Sequence, residues 1–310
     1  MIVSGPILIT GGTGMVGRNL LDLAKARQID VVAPSSRELD LRNFDAVRGF
    51  LRELQPACVV HAAGRVGGIQ ANIREPVAFL VENWDMGRNL LMAAREAGVQ
   101  RVMNLGSSCM YPRNSPNALR EEEVLTGQLE PTNEGYAIAK CAVARLCDYI
   151  NRESLECHYK TLIPCNLYGK YDKFDPQHSH LVPAIIHKLH EAKTSGRQEV
   201  DIWGDGKARR EFLYATDLAD AILVLAERFD ELPGLLNIGL GRDYEVNEYY
   251  QAAAEVVGYS GRFVHDLSKP VGMSRKLVDI GRATELGWVA KTSLVDGLRA
   301  TYDYYLNQLG

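Results

Sequence analysis

Four residues of this sequence carry groups that could move protons and hydride: Ser107, Cys109, Tyr136 and Lys140. Tyr136 and Lys140 stand four apart, and on a helix that spacing puts both on one face. An ammonium beside a phenol favours the phenolate, so the tyrosine pKa is expected to fall toward neutrality. A phenol tuned in that way can hand a proton to a carbonyl oxygen. Ser107 adds a hydroxyl. Simple carbonyl reduction has no use for the thiol of Cys109, which points to a further reaction. The other five cysteines show no metal-ligand spacing and read as small buried hydrophobes in a reduced, cytoplasmic protein.

These groups need a cofactor, and the N-terminal stretch supplies a place for one. The apolar run Ile7-Leu8-Ile9-Thr10 leads into Gly11-Gly12-Thr13-Gly14-Met15-Val16-Gly17, and a helical pattern follows through Leu20, Leu21, Leu23 and Ala24. Strand, glycine turn and helix in that order form a dinucleotide site, with backbone close to a pyrophosphate at the helix N-terminus. Gly17 allows helix and strand to pack closely. A second strand over 29–33 ends in Pro34-Ser35-Ser36-Arg37, without the acid that usually meets a free ribose 2′-hydroxyl. Two hydroxyls and a guanidinium suit a 2′-phosphate, so NADP(H) is expected rather than NAD(H). Asp40 and Leu41 fall where an adenine contact belongs, and Ala62 and Ala63 end a third strand with small residues that admit the cofactor.

A long helix over 76–97 follows, and the strand Arg101–Leu105 delivers Ser107 and Cys109 to the same sheet edge. The polar loop from Tyr111 to Pro131 is long enough to roof a site, and a helix then carries Tyr136 and Lys140. A strand over 159–165 leads to Asn166-Leu167-Tyr168-Gly169. Phe212 to Tyr214 is expected to rejoin the main sheet, with Asp217 capping the next helix. The predicted architecture is α/β: a doubly wound parallel sheet of Rossmann type over residues 1–165 and 210–232, with a smaller α/β substrate domain over 166–209 and 233–310.

The totals exclude other classes. In 310 residues, 46% are hydrophobic and 24% charged, with a net charge of −4. No basic surplus points to nucleic acid. No apolar run reaches the roughly 18–20 residues of a membrane span. The first residues lead straight into a strand, so no cleavable leader is expected. His61 reads as structural. His178, His187, His190 and His265 read as structural or exposed, and no metal is expected.

Taken together, Thr10-Gly11-x-x-Gly14-x-x-Gly17, Tyr136-x-x-x-Lys140 and the two-lobe layout resemble the extended short-chain dehydrogenase/reductase superfamily. Within it the chain is similar to the GDP-L-fucose synthase family of 3,5-epimerase-4-reductases. The segments that carry this are Val66-Gly67-Gly68-Ile69, Gly106 to Pro112, Glu130 to Lys140, Ile163 to Gly169, Ser179-His180, Trp203-Gly204-x-Gly206, Arg210-Glu211-Phe212 and Leu286-Gly287-Trp288, spread nearly end to end.

The resemblance implies a GDP-4-keto-6-deoxy sugar as substrate, whose C4 ketone acidifies the C–H bonds at C3 and C5. It implies Cys109 and His180 as the acid–base pair that inverts both centres. Ordinary thiol and imidazole pKa values of about 8.5 and about 6.5 suit such exchange. Ser107 and Tyr136 would steady the enolate oxygen, and Tyr136 would protonate O4, with Lys140 holding the ribose. It further implies cofactor contacts from Gly11, Thr13, Gly14, Met15, Val16, Arg37, Asp40, Leu41, Ala62, Ala63, Pro164 and Leu167. Substrate contacts would come from Val66, Gly67, Ser107, Ser108, Asn166, His180, Lys188, Trp203 and Arg210. A homodimer through the helices over 76–97 and 134–156 is implied as well.

Alternatives stay open from the sequence. Val271 stands where many members carry an acid, so a related 3,6-dideoxy or heptose substrate fits, as does a simple 4-ketoreductase. A dehydratase would place an Asp-Glu pair where Ser108-Cys109 stands. A regulatory NADP sensor on the same fold would typically have lost the Tyr/Lys pair, which is present here.

Overall fold

In the computed structural model, residues 5–116, 118–175, 179–269 and 273–309 are described. In chain order the larger lobe contains β1 (Ile7–Thr10), α1 (Met15–Ala26), β2 (Val31–Val32), α2 (Phe44–Leu54), β3 (Cys58–His61), α3 (Ile69–Arg74), α4 (Pro76–Glu96), β4 (Arg101–Leu105), α5 (Glu134–Glu153) and β5 (His158–Pro164). The chain then runs through β6 (Asn166–Tyr168), α6 (Leu181–Thr194), β7 (Glu199–Trp203), β8 (Arg209–Arg210), β9 (Phe212–Tyr214), α7 (Ala215–Glu227) and β10 (Leu235–Ile238). It ends with β11 (Tyr244–Glu245), α8 (Val246–Val257), β12 (Arg262–Asp266), β13 (Arg275–Lys276), α9 (Gly281–Glu285) and α10 (Leu294–Leu309).

Six strands form one parallel sheet in the order β10-β5-β4-β3-β1-β2. β1 and β3 are wholly buried, and β4 and β5 are buried except at Arg101, His158 and Lys160, as a sheet covered on both faces requires. Helices α1 and α7 pack together on one face, beside a core that includes Leu20, Met103, Leu162 and Leu218. On the other face α2, α4 and α5 pack in a row over Leu8, Leu51, Leu90, Val102 and Tyr159. The sheet is therefore doubly wound. Strand order reverses between β1 and β3, and ligands of such sheets bind outside the carboxyl ends of the strands at that point.

Glycines bring α4 and α5 together. A Cβ at Gly87 would lie 2.4 Å from Val143 Cγ2, and one at Gly135 would lie 2.8 Å from the Pro76 carbonyl oxygen. Only bare backbone permits that approach, and it fixes the start of α5, where Tyr136 stands.

A separate core of Ile185, Ile186, Leu189, Tyr249, Ala253, Leu298 and Tyr302 holds α6, α8 and α10 together. His187 and His190 belong here: their Nδ1 atoms lie 2.8 Å and 3.0 Å from the hydroxyls of Tyr305 and Tyr302. His178 and Val271 fall outside the described residues.

Several expectations need correction. Phe212–Tyr214 does not rejoin the main sheet but pairs with β6 in a sheet of two strands. The main-sheet edge is taken by β10, from a segment assigned above to the smaller lobe, because Leu235–Ile238 runs beside Thr161–Pro164. Asp217 does not cap α7. It lies in the first turn and accepts from the Lys291 and Thr292 backbone and from the Thr292 hydroxyl. The second strand shrinks to Val31–Val32.

Candidate active site

The glycine turn has the geometry its sequence suggested. Gly11 takes φ +75°, which favours glycine, and a Cβ there would sit 2.6 Å from the Ala63 nitrogen. A Cβ at Gly17 would sit 2.2 Å from the Gly11 carbonyl oxygen, so that glycine is what lets α1 start against β1. No side chain caps α1 at Gly14, and its first turn carries no acid, leaving an uncapped positive helix end. Beside it opens a cavity of about 360 Å³, whose walls include Thr10, Gly11, Thr13, Ser36, Asp40, Leu41, Arg42, Ala63 and Gly64. Under its floor the Thr10 hydroxyl meets His61 Nδ1 at 2.8 Å. Burial drops the His61 pKa to about 3, which keeps that imidazole neutral and structural.

A dinucleotide fits this cradle on two grounds. Backbone there is stripped of Cβ atoms where close approach is needed, and the cavity lies at the sheet's switch point. Ser36 is on the wall, but Arg37 is not among the wall residues. Two arginines are on the wall, Arg42 and Arg65. Arg65 is paired with Glu75 and Glu82, and Arg42 donates to Asp40 through Nε and Nη2, each at 2.9 Å. Sequence reasoning missed Arg42; its signal was a base two residues after Asp40 at a helix start.

The Lys140 ammonium donates to the Leu105 carbonyl at 2.9 Å and lies 5.7 Å from the centre of the Tyr136 ring. A Cβ at Gly64 would be 3.7 Å from Lys140 Nζ, so the amine borders the cavity. Burial lowers its pKa to about 8. Tyr136 contacts the Ser107 hydroxyl, but burial and the neighbouring Cys109 push its phenol up. The expected drop toward neutrality is thus reversed, because desolvation of the phenolate outweighs what its neighbours return. The phenol holds its proton.

Ser107 ends the β4 connection in extended backbone and caps the single turn Ser108–Met110, its Oγ accepting from the Cys109 nitrogen at 3.3 Å. That turn buries Ser108 and aims Cys109 into a small cluster with Tyr136, Leu129 and Ala137. Burial raises the thiol pKa, while Lys276, Ser107 and Lys140 pull the other way.

A line of contacts connects Tyr136 to His180. Phe79 meets Tyr136 edge-on at 6.4 Å, and a Cβ at Gly67 would touch Phe79 at 3.1 Å. One at Gly68 would be 3.4 Å from the Ser179 carbonyl oxygen. The strip Val66–Gly68 therefore runs from the phenol to the head of α6, where His180 is the N-cap residue. Val66 itself is exposed. Solvent reaches His180, yet the surrounding protein and Lys173 hold its pKa below the usual imidazole value.

The remaining expected residues spread outward. Asn166 donates to the Glu211 carbonyl at 3.1 Å, which positions it at the junction of β6 and β9. Pro164 closes β5, and Leu167 packs at the edge of the sheet core. Burial lowers the pKa of the half-buried Arg210 guanidinium. Lys188 is held at 2.8 Å by the Asp201 carboxylate, and the neighbouring Trp203 is half exposed with Lys269 over its ring at 5.7 Å. A second cavity of about 360 Å³ lies between the loop after Cys109 and the approach to β13, walled by Arg113, Asn114, Ser115, Glu130, Met273, Ser274 and Arg275. No group of three metal-binding side chains converges among the described residues.

Residues 7–239 match the profile of the NAD dependent epimerase/dehydratase family. The chain belongs to that family. A GDP-L-colitose synthase of Yersinia pseudotuberculosis is 53% identical over 97% of this chain and 98% of its own length. A GDP-L-fucose synthase of Azorhizobium caulinodans is 50% identical over 97% and 96%. Among solved structures, a GDP-mannoheptose C4 reductase from Campylobacter jejuni with NADP bound aligns with a TM-score of 0.89 at 31% identity, covering 99% of both chains.

Proposed function

We propose that this enzyme converts GDP-4-keto-6-deoxy-D-mannose to GDP-L-fucose by 3,5-epimerisation followed by NADPH-dependent reduction at C4. One observation carries the reading: a thiol, a hydroxyl and a proton-holding phenol meet at one strand end, and the strip Val66–Gly68 leads from there to His180 at the head of α6. The relatives named above support the GDP-sugar class.

Cys109 and His180 are the proton-transfer pair. As the thiolate takes a proton from C3 or C5, the C–H bond breaks and S–H forms. The electron pair passes through the new C=C bond to the ketone oxygen. Ser107 and Tyr136 donate to that oxygen. Protonation of the same carbon from the opposite face by His180 restores the ketone with inverted configuration. Solvent exchange then returns both groups to their starting states. Bound NADPH supplies the hydride for C4. Tyr136 gives its proton to O4, and Lys140 holds the ribose beside it. Gly11, Thr13, Gly14, Met15 and Val16 hold the pyrophosphate, with Ser36 and Arg42 toward the 2′-phosphate. Asn166, Lys188, Trp203 and Arg210 receive the GDP end, so the six-stranded lobe carries cofactor and the smaller lobe carries substrate. Its six free cysteines suit a cytoplasmic setting.

The test is incubation with the keto sugar and NADPH in deuterated water, with the product read by NMR. Deuterium at C3 and C5 in a fuco product is expected. Reduction without deuterium would leave a simple 4-ketoreductase. The relative named for GDP-L-colitose favours a second reading, a 3,6-dideoxy 4-keto substrate. Supplying both sugars to one sample and comparing their rates separates the two.

A further inference from the structure

The strip from Arg65 to Gly68 lies between the phenol and the head of α6 but belongs to no strand or helix. Backbone polar groups in such a segment need partners from elsewhere, and two asparagines supply them. On α4, Asn83 Oδ1 accepts from the Arg65 nitrogen at 2.9 Å, while its Nδ2 donates to the Arg65 carbonyl at 3.1 Å and the Phe79 carbonyl at 2.7 Å. On α3, Asn72 Nδ2 donates to the Gly67 carbonyl at 2.9 Å and the Gly68 carbonyl at 3.0 Å. Both asparagines are buried. Only the NH2 end of an amide can donate to a carbonyl, so the partners fix both orientations.

Those bonds decide which way the strip faces. Across a planar trans peptide, a carbonyl and the next N–H point in opposite directions. With the Arg65 carbonyl held by Asn83, the Val66 N–H points away from that side chain. With the Gly67 carbonyl held by Asn72, the Gly68 N–H points away in the same manner. Neither N–H donates to another described residue, and the strip is partly open to solvent. Its glycines are closely packed. A Cβ at Gly67 would lie 3.1 Å from both Ala71 Cβ and Phe79 Cζ, and one at Gly68 would lie 3.4 Å from the Ser179 carbonyl oxygen. Asn72 keeps this arrangement at a cost, because its Oδ1 is buried with no hydrogen-bond partner among the described residues. What its NH2 holds is the reason for an amide at that position.

We propose that Asn72 is a positioning residue of the sugar subsite, holding the Gly67 and Gly68 carbonyls so that the Val66 and Gly68 N–H groups are left to donate to oxygens of the bound hexose. This rests on the GDP-sugar reading above. Donors fixed in advance cost little further ordering when the sugar arrives.

The test is calorimetric titration of the protein, loaded with oxidised NADP, with GDP and with GDP-L-fucose. The difference between the two affinities reports what the hexose contributes, and the unsubstituted protein is expected to bind GDP-L-fucose more tightly. Asn72→Asp sets an acceptor against the two carbonyls, and Asn72→Leu offers them no donor. Each should cut GDP-L-fucose affinity by about tenfold, the worth of one or two hydrogen bonds, and leave GDP affinity unchanged. Backbone hydrogen exchange over 65–69 should slow when GDP-L-fucose binds but not when GDP does, and both variants should lose that protection. Unchanged GDP-L-fucose affinity in both variants overturns the proposal, as do equal affinities for the two ligands in the unsubstituted protein. A parallel loss of GDP affinity also overturns it and makes Asn72 structural only. An unsubstituted protein that binds neither ligand refutes the GDP-sugar reading, and the proposal falls with it.

Discussion

At the residue scale, opposite tendencies set each ionisable group. Tyr136 is kept as a phenol by burial even though Ser107 touches it, so in the proposed reduction it would serve at neutral pH as an acid without first gathering a proton. Cys109 is pushed the same way by burial, and three neighbours oppose the shift. In the proposed reaction the two groups would divide the work: one would keep its proton until O4 carries charge, and the other would give up its own more readily than burial alone allows. Tyr136→Phe should cut NADPH oxidation by about 10²–10⁴-fold, the usual worth of a positioned acid. Deuterium exchange at C3 and C5 should fall much less, because Ser107 still donates to the enolate oxygen. Stopped-flow absorbance and NMR of the same samples make the comparison. Equal loss of both activities would mean that the phenol serves the enolate rather than the reduction.

At the scale of elements, the site depends on contacts between backbones. α1 starts where it does because Gly17 lacks a Cβ, and α5 sits against α4 because Gly87 and Gly135 do. The first contact shapes the cofactor cavity, and the second places Tyr136. Gly17→Ala would force a methyl group to 2.2 Å from the Gly11 carbonyl oxygen. The helix start must then shift, at about 1–3 kcal/mol for overpacking of this kind. Urea unfolding should register that loss, and NADPH titration by fluorescence should register weaker binding. Near-normal affinity in a destabilised Gly17→Ala protein would mean that the pyrophosphate is held elsewhere.

At the scale of the whole molecule, α4 and α5 turn apolar side chains outward. Val77 is 72% exposed and Tyr149 50% exposed, and Val81 and Ile138 lie on the same pair of helices. We propose that a second copy covers this face, pairing four helices across a twofold axis. Val81→Asp should then shift the protein to monomers in analytical ultracentrifugation without altering the NADPH cavity. A monomeric starting protein would refute the pairing. No helix among the described residues is long and apolar enough to cross a membrane.

Much of this was legible in the residues alone. Backbone sterics make the meaning of Gly11, Gly14 and Gly17 local, so a short window reads the turn and the strand before it. Helical periodicity likewise places Tyr136 and Lys140 on one face without any tertiary information. Glu211 was not legible, because it acquires its surroundings from segments distant in sequence. Glu211, between β8 and β9, joins that segment to residues 241 and 278. The sign of the Tyr136 shift was equally out of reach, since spacing reports a neighbouring charge but not how completely water is excluded. The sequence by itself determined the α/β order, the cofactor turn and the set of reactive groups, all of which follow from short-range sterics and periodicity. Only the tertiary structure decided which strand closes the sheet and which groups keep their protons. Those depend on burial and long-range packing, which no local stretch of sequence contains.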